Sequence, residues 1–320
     1  MMGMADIVIE NYRPKTMERW GLGWEEMSRL HPRMILVRIS GFGQTGPYSD
    51  RAGFGIVGEA LSGLRSMTGD PDRPPARVAL PLTDYVTGLY AVAGALMALH
   101  HRDRTGQGQV VDAALYESAF SFMESFVPGY DKLGIVPSRT GSALTGHVPN
   151  NLFPTGDGQH IHIAAGNDGT FRSLAAAMGK PALADDERFA TGMERSANQA
   201  ELEAIIEAWT REWKMDALYQ HLTDGGVPAA PIYTVADAFK DPHYAARDMI
   251  VDVPDDTLGS VKLANIVPRL SETPGKIHWS GHRLGTDTRA VLREYLSMDD
   301  ETLDRLEAEG AIIGAAAKDE

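Results

Sequence analysis

The sequence predicts a mixed α/β fold that opens on a parallel βαβ unit and continues into a smaller α+β region. Two short apolar runs, Ala5–Glu10 and Met34–Ser40, are separated by helix-like segments. Strand, helix and strand within about 35 residues is the rhythm of a parallel crossover. Residues 132–151 then shift to Gly, Ser, Thr, Pro and Asn, the composition of a linker. Beyond it, Gln159–Ile163 alternates apolar and polar residues, as a half-buried strand does.

The elements follow in order. Asn11-Tyr12-Arg13-Pro14 breaks the first strand, and Thr16–Trp20 begins a helix that Gly21 and Gly23 end. A second short helix, Trp24–Leu30, stops near Pro32, and Met34–Ser40 reads as a buried strand. A glycine-rich loop, 41–47, leads to a helix over Phe54–Ser66, a proline-rich loop over 70–75 and a short strand over Arg77–Leu80. Tyr85–Arg102 is a long helix, apolar on nearly every face and therefore expected to be buried. A turn at 105–108, a strand at Val110–Ala114 and a helix at Leu115–Phe126 complete the first region. In the second, Phe171–Met178, Gln199–Trp213 and Met215–Leu222 read as helices, with extended segments at Val227–Ile232 and Val261–Leu270 and a final amphipathic helix at Asp299–Glu309.

The chain has 320 residues, of which 43% are hydrophobic, enough for a sizeable core and too many for a disordered chain. Its 44 acidic residues exceed its 30 basic ones, giving a net charge of −14. That is a poor balance for binding phosphate backbones, so no nucleic-acid partner is expected. The absence of cysteine removes disulfides, thiol nucleophiles and cysteine-ligated metals. The longest strongly apolar stretch, Leu89–Leu99, falls short of the ~20 residues of a membrane span. The first residues show no signal-peptide pattern. A cytoplasmic protein with no membrane partner is expected.

Asp84 stands out among the chemically capable residues. It follows a proline and opens the long helix, where free backbone N–H groups and the helix dipole favour a carboxylate. It is read either as an N-cap or as an ionised group able to act as a nucleophile or base. Gly88, one turn on, leaves room beside it. Gly41, Gly43 and Gly46 match a dinucleotide-binding spacing, but Pro47 follows and no helix starts on the third glycine, so nicotinamide binding is not expected. Arg13 and Arg19 are either solvated or able to meet the phosphates of a nucleotide-like ligand. His160 and His162 share a strand face, yet two histidines do not close a zinc site, and no metal is expected. His100 and His101 suit a helix C-terminus. Ser118 and Ser142 lack triad context, and nothing singles out Glu117. The glycines at 141 and 146, with Asn150 and Asn151, read as an exposed loop or a flap.

Several stretches taken together resemble the class III CoA-transferases (CaiB/BaiF type), the family of formyl-CoA transferase, the carnitine CoA-transferases and the α-methylacyl-CoA racemases. They are ADIVIENYRP at 5–14, RISGFGQTGPY at 38–48, the run 82–118 beginning LTDYVTG, NLFPTGDGQHIHIAAGN at 151–167, PHYAARDMI at 242–250 and LGTDT at 284–288. The resemblance spans essentially the whole chain in order. It implies a Rossmann-like large domain at 1–140, a small α/β domain at 145–225, a linker and C-terminal return at 226–320, and an interlocked homodimer. It implies that Asp84 is the catalytic nucleophile. The carboxylate attacks a donor thioester to give a mixed anhydride and CoA thiolate, and the thiolate returns to give an aspartyl-CoA thioester. An acceptor carboxylate then displaces CoA to form a second anhydride, which CoA resolves into product. Such covalent steps conserve thioester energy only where water is excluded.

The resemblance also implies that Asn11, Tyr12 and Arg13, the downstream Arg19, and the stretch Ala52, Gly53, Phe54 and Gly55 contact coenzyme A, the substrate-borne cofactor. Phe54-Gly55 stands where formyl-CoA transferase has a Tyr-Glu pair, which argues against an oxalate enzyme. Phe54 also stands where the racemases carry a general acid/base histidine, and phenylalanine moves no proton. An acyl-CoA racemase is therefore the weaker reading. Succinyl-CoA as donor and a small carboxylic or dicarboxylic acid as acceptor are expected. Family members begin with about 85 further residues, the first half of a dinucleotide-type fold. A non-catalytic CoA-binding fragment is accordingly the third reading.

Overall fold

Residues 2–314 are described in a computed structural model. The described residues divide into two compact units, residues 2–231 and residues 232–314. In the first, Ile7–Glu10 (β1), Ile35–Ser40 (β2) and Val110–Ala114 (β3) form a parallel sheet in the order β1-β2-β3. The register pairs Ile7 with Ile35 and Glu10 with Arg38, and Arg38 in turn with Asp112. Because side chains alternate along a strand, Ile35 and Val37 face one side of the sheet and Leu36 and Arg38 the other.

The helices Thr16–Arg19 (α1) and Trp24–Leu30 (α2) connect β1 to β2. Met17 and Met27 from these helices and Met34 form a buried cluster against which Val8 packs. Gly55–Leu61 (α3) and the 24-residue helix Leu82–Thr105 (α4) lie between β2 and β3. Ala91, Ala95 and Ala98 of α4, three small residues on one stripe, pack with Ile35, Val37 and Ala113. Leu115–Phe120 (α5) and Phe126–Leu133 (α6) follow β3.

Further along the same unit, Asn150–Pro154 (β4), His160–Ala164 (β5) and Ala229–Pro231 (β6) form an antiparallel sheet. It packs with Asp168–Ala177 (α7), Gln199–Thr210 (α9) and Met215–Asp224 (α10), with Ile161, Ile163, Phe171, Leu202, Ile206 and Leu218 fully buried at the centre, and Gly192–Ala197 (α8) lies against α9. Arg195 is buried too. Its guanidinium donates to the carbonyls of Val148, Phe189 and Gly166 and to Asp168 at 2.8–3.0 Å, so each of its charged nitrogens has a partner.

The second unit holds Val235–Ala238 (α11), Pro242–Ala246 (α12), the hairpin Ile250–Asp255 (β7) with Gly259–Ala264 (β8), Thr288–Leu296 (α13) and Asp300–Ala308 (α14).

The structure corrects several sequence expectations. Arg77–Leu80 is not a strand: the Val78 N–H points to Glu59 Oε1 at 3.4 Å, and the place beside β2 is filled by β3. The segments 54–66 and 115–126 each break into shorter helical pieces. Only the first part of Val261–Leu270 is a strand, and its partner β7 and helix α13 were not expected. The long helix begins three residues earlier than expected and is not buried all round. Tyr85 (68% exposed), Leu89 (70%), Val92 (57%) and Leu96 (59%) form a stripe opposite the alanines. A helix apolar on every face carries no signal for which face packs, and the sheet covers only one. By length and composition α4 is also long and apolar enough to cross a membrane, which the 11-residue stretch did not suggest; here it is a sheet-packed helix.

Candidate active site

Parallel strands put all their carboxyl ends at one edge, where ligands bind in open α/β sheets. Asn11, Tyr12 and Arg13 directly follow β1, and the glycine loop follows β2. Helix α4 returns to the opposite edge: Arg102, near its C-terminus, donates to Asp6, just ahead of β1, at 2.7 Å. Its N-terminus therefore lies at the carboxyl edge, and Asp84 with it.

Asp84 is the third residue of α4, and Pro81 occupies the cap position, so the N-cap reading of Asp84 is corrected. The exposed carboxylate remains within the first turn, where the dipole of a long helix contributes about 0.3–1 kcal/mol to an anion. Two neighbours fix where it sits. The buried Thr83 hydroxyl donates to the Gly55 carbonyl at 2.9 Å, pinning the start of α4 to the start of α3. Gly55 lies directly against the carboxylate, and a Cβ on it would come within 2.9 Å of Asp84 Cγ. Only glycine leaves the space this side chain occupies. On the other side, nothing lies within 4 Å of where a Cβ of Gly88 would be. The carboxylate is thus backed by α3 and open along α4.

A second glycine contact seats the loop carrying Ala52, Gly53 and Phe54. A Cβ on Gly41 would meet the Gly53 Cα at 2.8 Å, so the backbones leaving β2 and entering α3 touch. Phe54 is the residue ahead of α3 and is 75% exposed. Phe42, Tyr48 and Tyr116 line an apolar cleft of about 490 Å³ beside the glycine loop. No helix begins at Gly46; the next one, α3, starts at Gly55.

Asn11, Tyr12 and Arg13 are exposed, as is Arg19 at the end of α1, whose Nη2 donates to Thr16 Oγ1 at 2.7 Å. Tyr12 meets Trp20 edge-on at 5.0 Å. Beneath this turn lies a cluster the sequence reading passed over: Arg38 with Glu10 and Glu18. An arginine inside an otherwise apolar strand was the available signal, because a buried charge requires a partner. The Arg38 hydrogen bonds hold the Glu18 carboxyl below the usual carboxylate range. Burial works against the Arg38 charge, and hydrogen bonds to Glu18 and Glu10 more than reverse this, raising its pKa.

His162 Nε2 lies 2.8 Å from Asn150 Oδ1, and His160 is exposed. Among the described residues, no three side chains of metal-binding type cluster. The exposed loop containing Gly141 and Gly146 is fastened at its base. Arg139 donates to the carbonyls of Asp70 and Arg73 at 3.0 and 2.9 Å, and the Gly141 N–H to that of Gly69 at 3.1 Å.

Residues 1–288 match the model of CoA-transferase family III. The succinyl-CoA–D-citramalate CoA-transferase of Chloroflexus aurantiacus is 48% identical over 308 residues, covering 96% of this chain and 77% of that protein. The succinyl-CoA–L-malate CoA-transferase beta subunit of the same organism is 39% identical, covering 98% and 78%. A crystal structure of a CaiB/BaiF family protein from Brucella suis superposes with a TM-score of 0.78 at 38% identity, covering 92% of this chain and 76% of that one.

Proposed function

Because the chain belongs to CoA-transferase family III, we propose that it moves CoA from succinyl-CoA to a small dicarboxylic acid, with Asp84 as the nucleophile. The observation that carries this reading is the seat of Asp84: a carboxylate on the first turn of α4, backed by a glycine and open on the side of Gly88. Its oxygen attacks the succinyl thioester carbonyl, expelling CoA thiolate and leaving a mixed anhydride. The thiolate then attacks the aspartyl carbonyl, releasing succinate and forming the aspartyl-CoA thioester. The acceptor carboxylate repeats the exchange in reverse, and Asp84 leaves as the free carboxylate. The helix dipole stabilises Asp84 whenever it is released as an anion.

Arg13 and Arg19 supply cations for the CoA phosphates, with Asn11, Tyr12 and the Ala52–Gly55 stretch completing the seat. The names of the Chloroflexus relatives make D-citramalate and L-malate the first acceptors to try. A racemase would need a second proton-moving group to work with Asp84, and Phe54, ahead of Gly55 in the chain, moves none.

The exposed carboxylate needs a cover, since an anhydride open to water hydrolyses. A second copy of this chain is the cover we infer, because the Tyr85–Leu96 stripe leads away from Asp84 along the same helix and leaves several large apolar side chains in solvent. The acyl-CoA substrates and the cysteine-free composition support a cytoplasmic reaction.

The test is to trap the intermediate. The chain is incubated with succinyl-CoA, quenched with hydroxylamine and mapped by mass spectrometry, with Asp84→Ala as control. A hydroxamate at residue 84 that the variant lacks is the expected result. A chain that binds CoA without forming the adduct refutes the nucleophile or the donor. A folded chain that neither binds nor reacts refutes the reading for this chain by itself and favours a fragment without catalytic activity.

A further inference from the structure

Arg38 and Glu10 stand side by side in the register of β2 and β1, with side chains only 7% and 2% exposed. Arg38 Nε donates to Glu10 Oε1 at 2.7 Å, and its two terminal nitrogens fork onto the Glu18 carboxylate at 2.6 and 3.2 Å. The second Glu10 oxygen accepts the backbone N–H of Tyr12 at 2.7 Å. One guanidinium therefore ties together the end of β1, the body of β2, helix α1 and the turn between β1 and α1. Apolar residues of similar volume can stabilise a fold as well as a buried ion cluster does, so stability alone does not account for it. What the planar fork adds is direction.

The turn so held is an unusual one. Lys15 adopts a left-handed backbone (φ 69°), a conformation unfavourable for a residue with a Cβ. Its ammonium group pairs with Asp50 at 3.1 Å. Arg13 and Arg19 flank it. Two carboxylates against one guanidinium also leave the cluster with a net negative charge beneath these cations. We propose that Glu10, Arg38 and Glu18 are positioning residues that set the Asn11–Lys15 turn and so aim Arg13 and Arg19 at the phosphates of CoA, without touching the ligand themselves. This rests on the reading of that turn as the CoA seat.

Glu10→Gln tests it. The amide is nearly isosteric but sets an N–H donor against either Arg38 Nε–H or the Tyr12 N–H. Arg38→Lys keeps the charge and removes the fork. CoA affinity is measured by calorimetry on the full chain, and turnover is compared for succinyl-CoA and succinyl-pantetheine, which carries the same thioester without the nucleotide phosphates. In both variants the Kd for CoA and the KM for succinyl-CoA are expected to rise roughly tenfold, the scale of one charge-assisted hydrogen bond. The kcat and the KM for succinyl-pantetheine are expected to stay within about twofold, a smaller change than loss of one such bond would give. Equal losses for both thioesters, or unchanged CoA affinity, overturn the positioning role while leaving the CoA seat intact. A wild-type chain that binds CoA no better than pantetheine overturns the seat itself. If Glu10→Gln does not fold, Glu18→Gln, at a side chain 41% exposed, gives the same readouts, and the same results overturn the positioning role or the seat.

Discussion

Gly55→Ala separates the geometry of Asp84 from the stability of the fold, because the two respond in opposite directions. The Gly55 backbone lies outside the left-handed region, so alanine fits it, and at the start of α3 the exchange is neutral or stabilising by up to ~1 kcal/mol. The added methyl would overlap Asp84 Oδ2 outright and sit 2.9 Å from Asp84 Cγ, and ordinary contact begins at 3.4 Å, so the carboxylate must swing away from its seat rather than adjust within it. An exposed side chain can do so at little cost to folding. Catalysis is less forgiving: a misplacement of ~1 Å can cost ~10²-fold, so kcat is expected to fall about 10–100-fold, or roughly 1.4–2.7 kcal/mol of barrier. The assay is succinyl-CoA-dependent transfer to D-citramalate or L-malate, alongside a thermal melt. A variant with wild-type kcat would show that the seat of Asp84 against α3 has no part in the reaction. A variant that loses activity only because its Tm collapses would refute the packing argument as well.

Three further outcomes follow from particular contacts. Thr83→Val keeps the volume but leaves the Gly55 carbonyl without its buried donor; a loss of about 1–3 kcal/mol in urea unfolding is expected, and an unchanged midpoint would show that the α3–α4 pin is idle. Because the folded Glu18 pKa lies below its ordinary value of 4.5, its contribution to stability is present above that pH and is lost as the pH falls through the folded value. The stability gap between wild type and Glu18→Gln, below ~1 kcal/mol for a partly exposed pair, is therefore expected near pH 7 and should close in acid; a gap that widens in acid would reverse the assignment. Leu96→Asp, on the exposed stripe, is expected to convert a dimer to a folded monomer in light scattering, and a wild-type chain already monomeric at micromolar concentration would refute the covered face.

The parallel opening was legible because β1 and β2 are short apolar runs bounded by Asn-Tyr-Arg-Pro and a glycine loop, and hydrophobic runs with breakers are local signals. Asp84 was legible as a charged residue opening a long helix, and the family likeness pointed to it independently. The strand placed at Arg77–Leu80 failed for the converse reason: a short apolar run is a strand only if a neighbour offers a ladder, and β3 had taken that place. In the same way Arg38 looks like an interruption in MILVRIS until its register partner Glu10, 28 residues earlier, is known.

Composition and pattern by themselves determined the class of the chain and the order of most of its main elements, and marked Asp84 as a carboxylate opening a long helix, since each depends on near neighbours along the chain. Tertiary structure alone decided which face of α4 meets the sheet, that Gly55 gives way to Asp84, and that Arg38 is held from both sides by carboxylates. Those are contacts between residues far apart in sequence, and their existence depends on strand register and helix rotation, which no local pattern encodes.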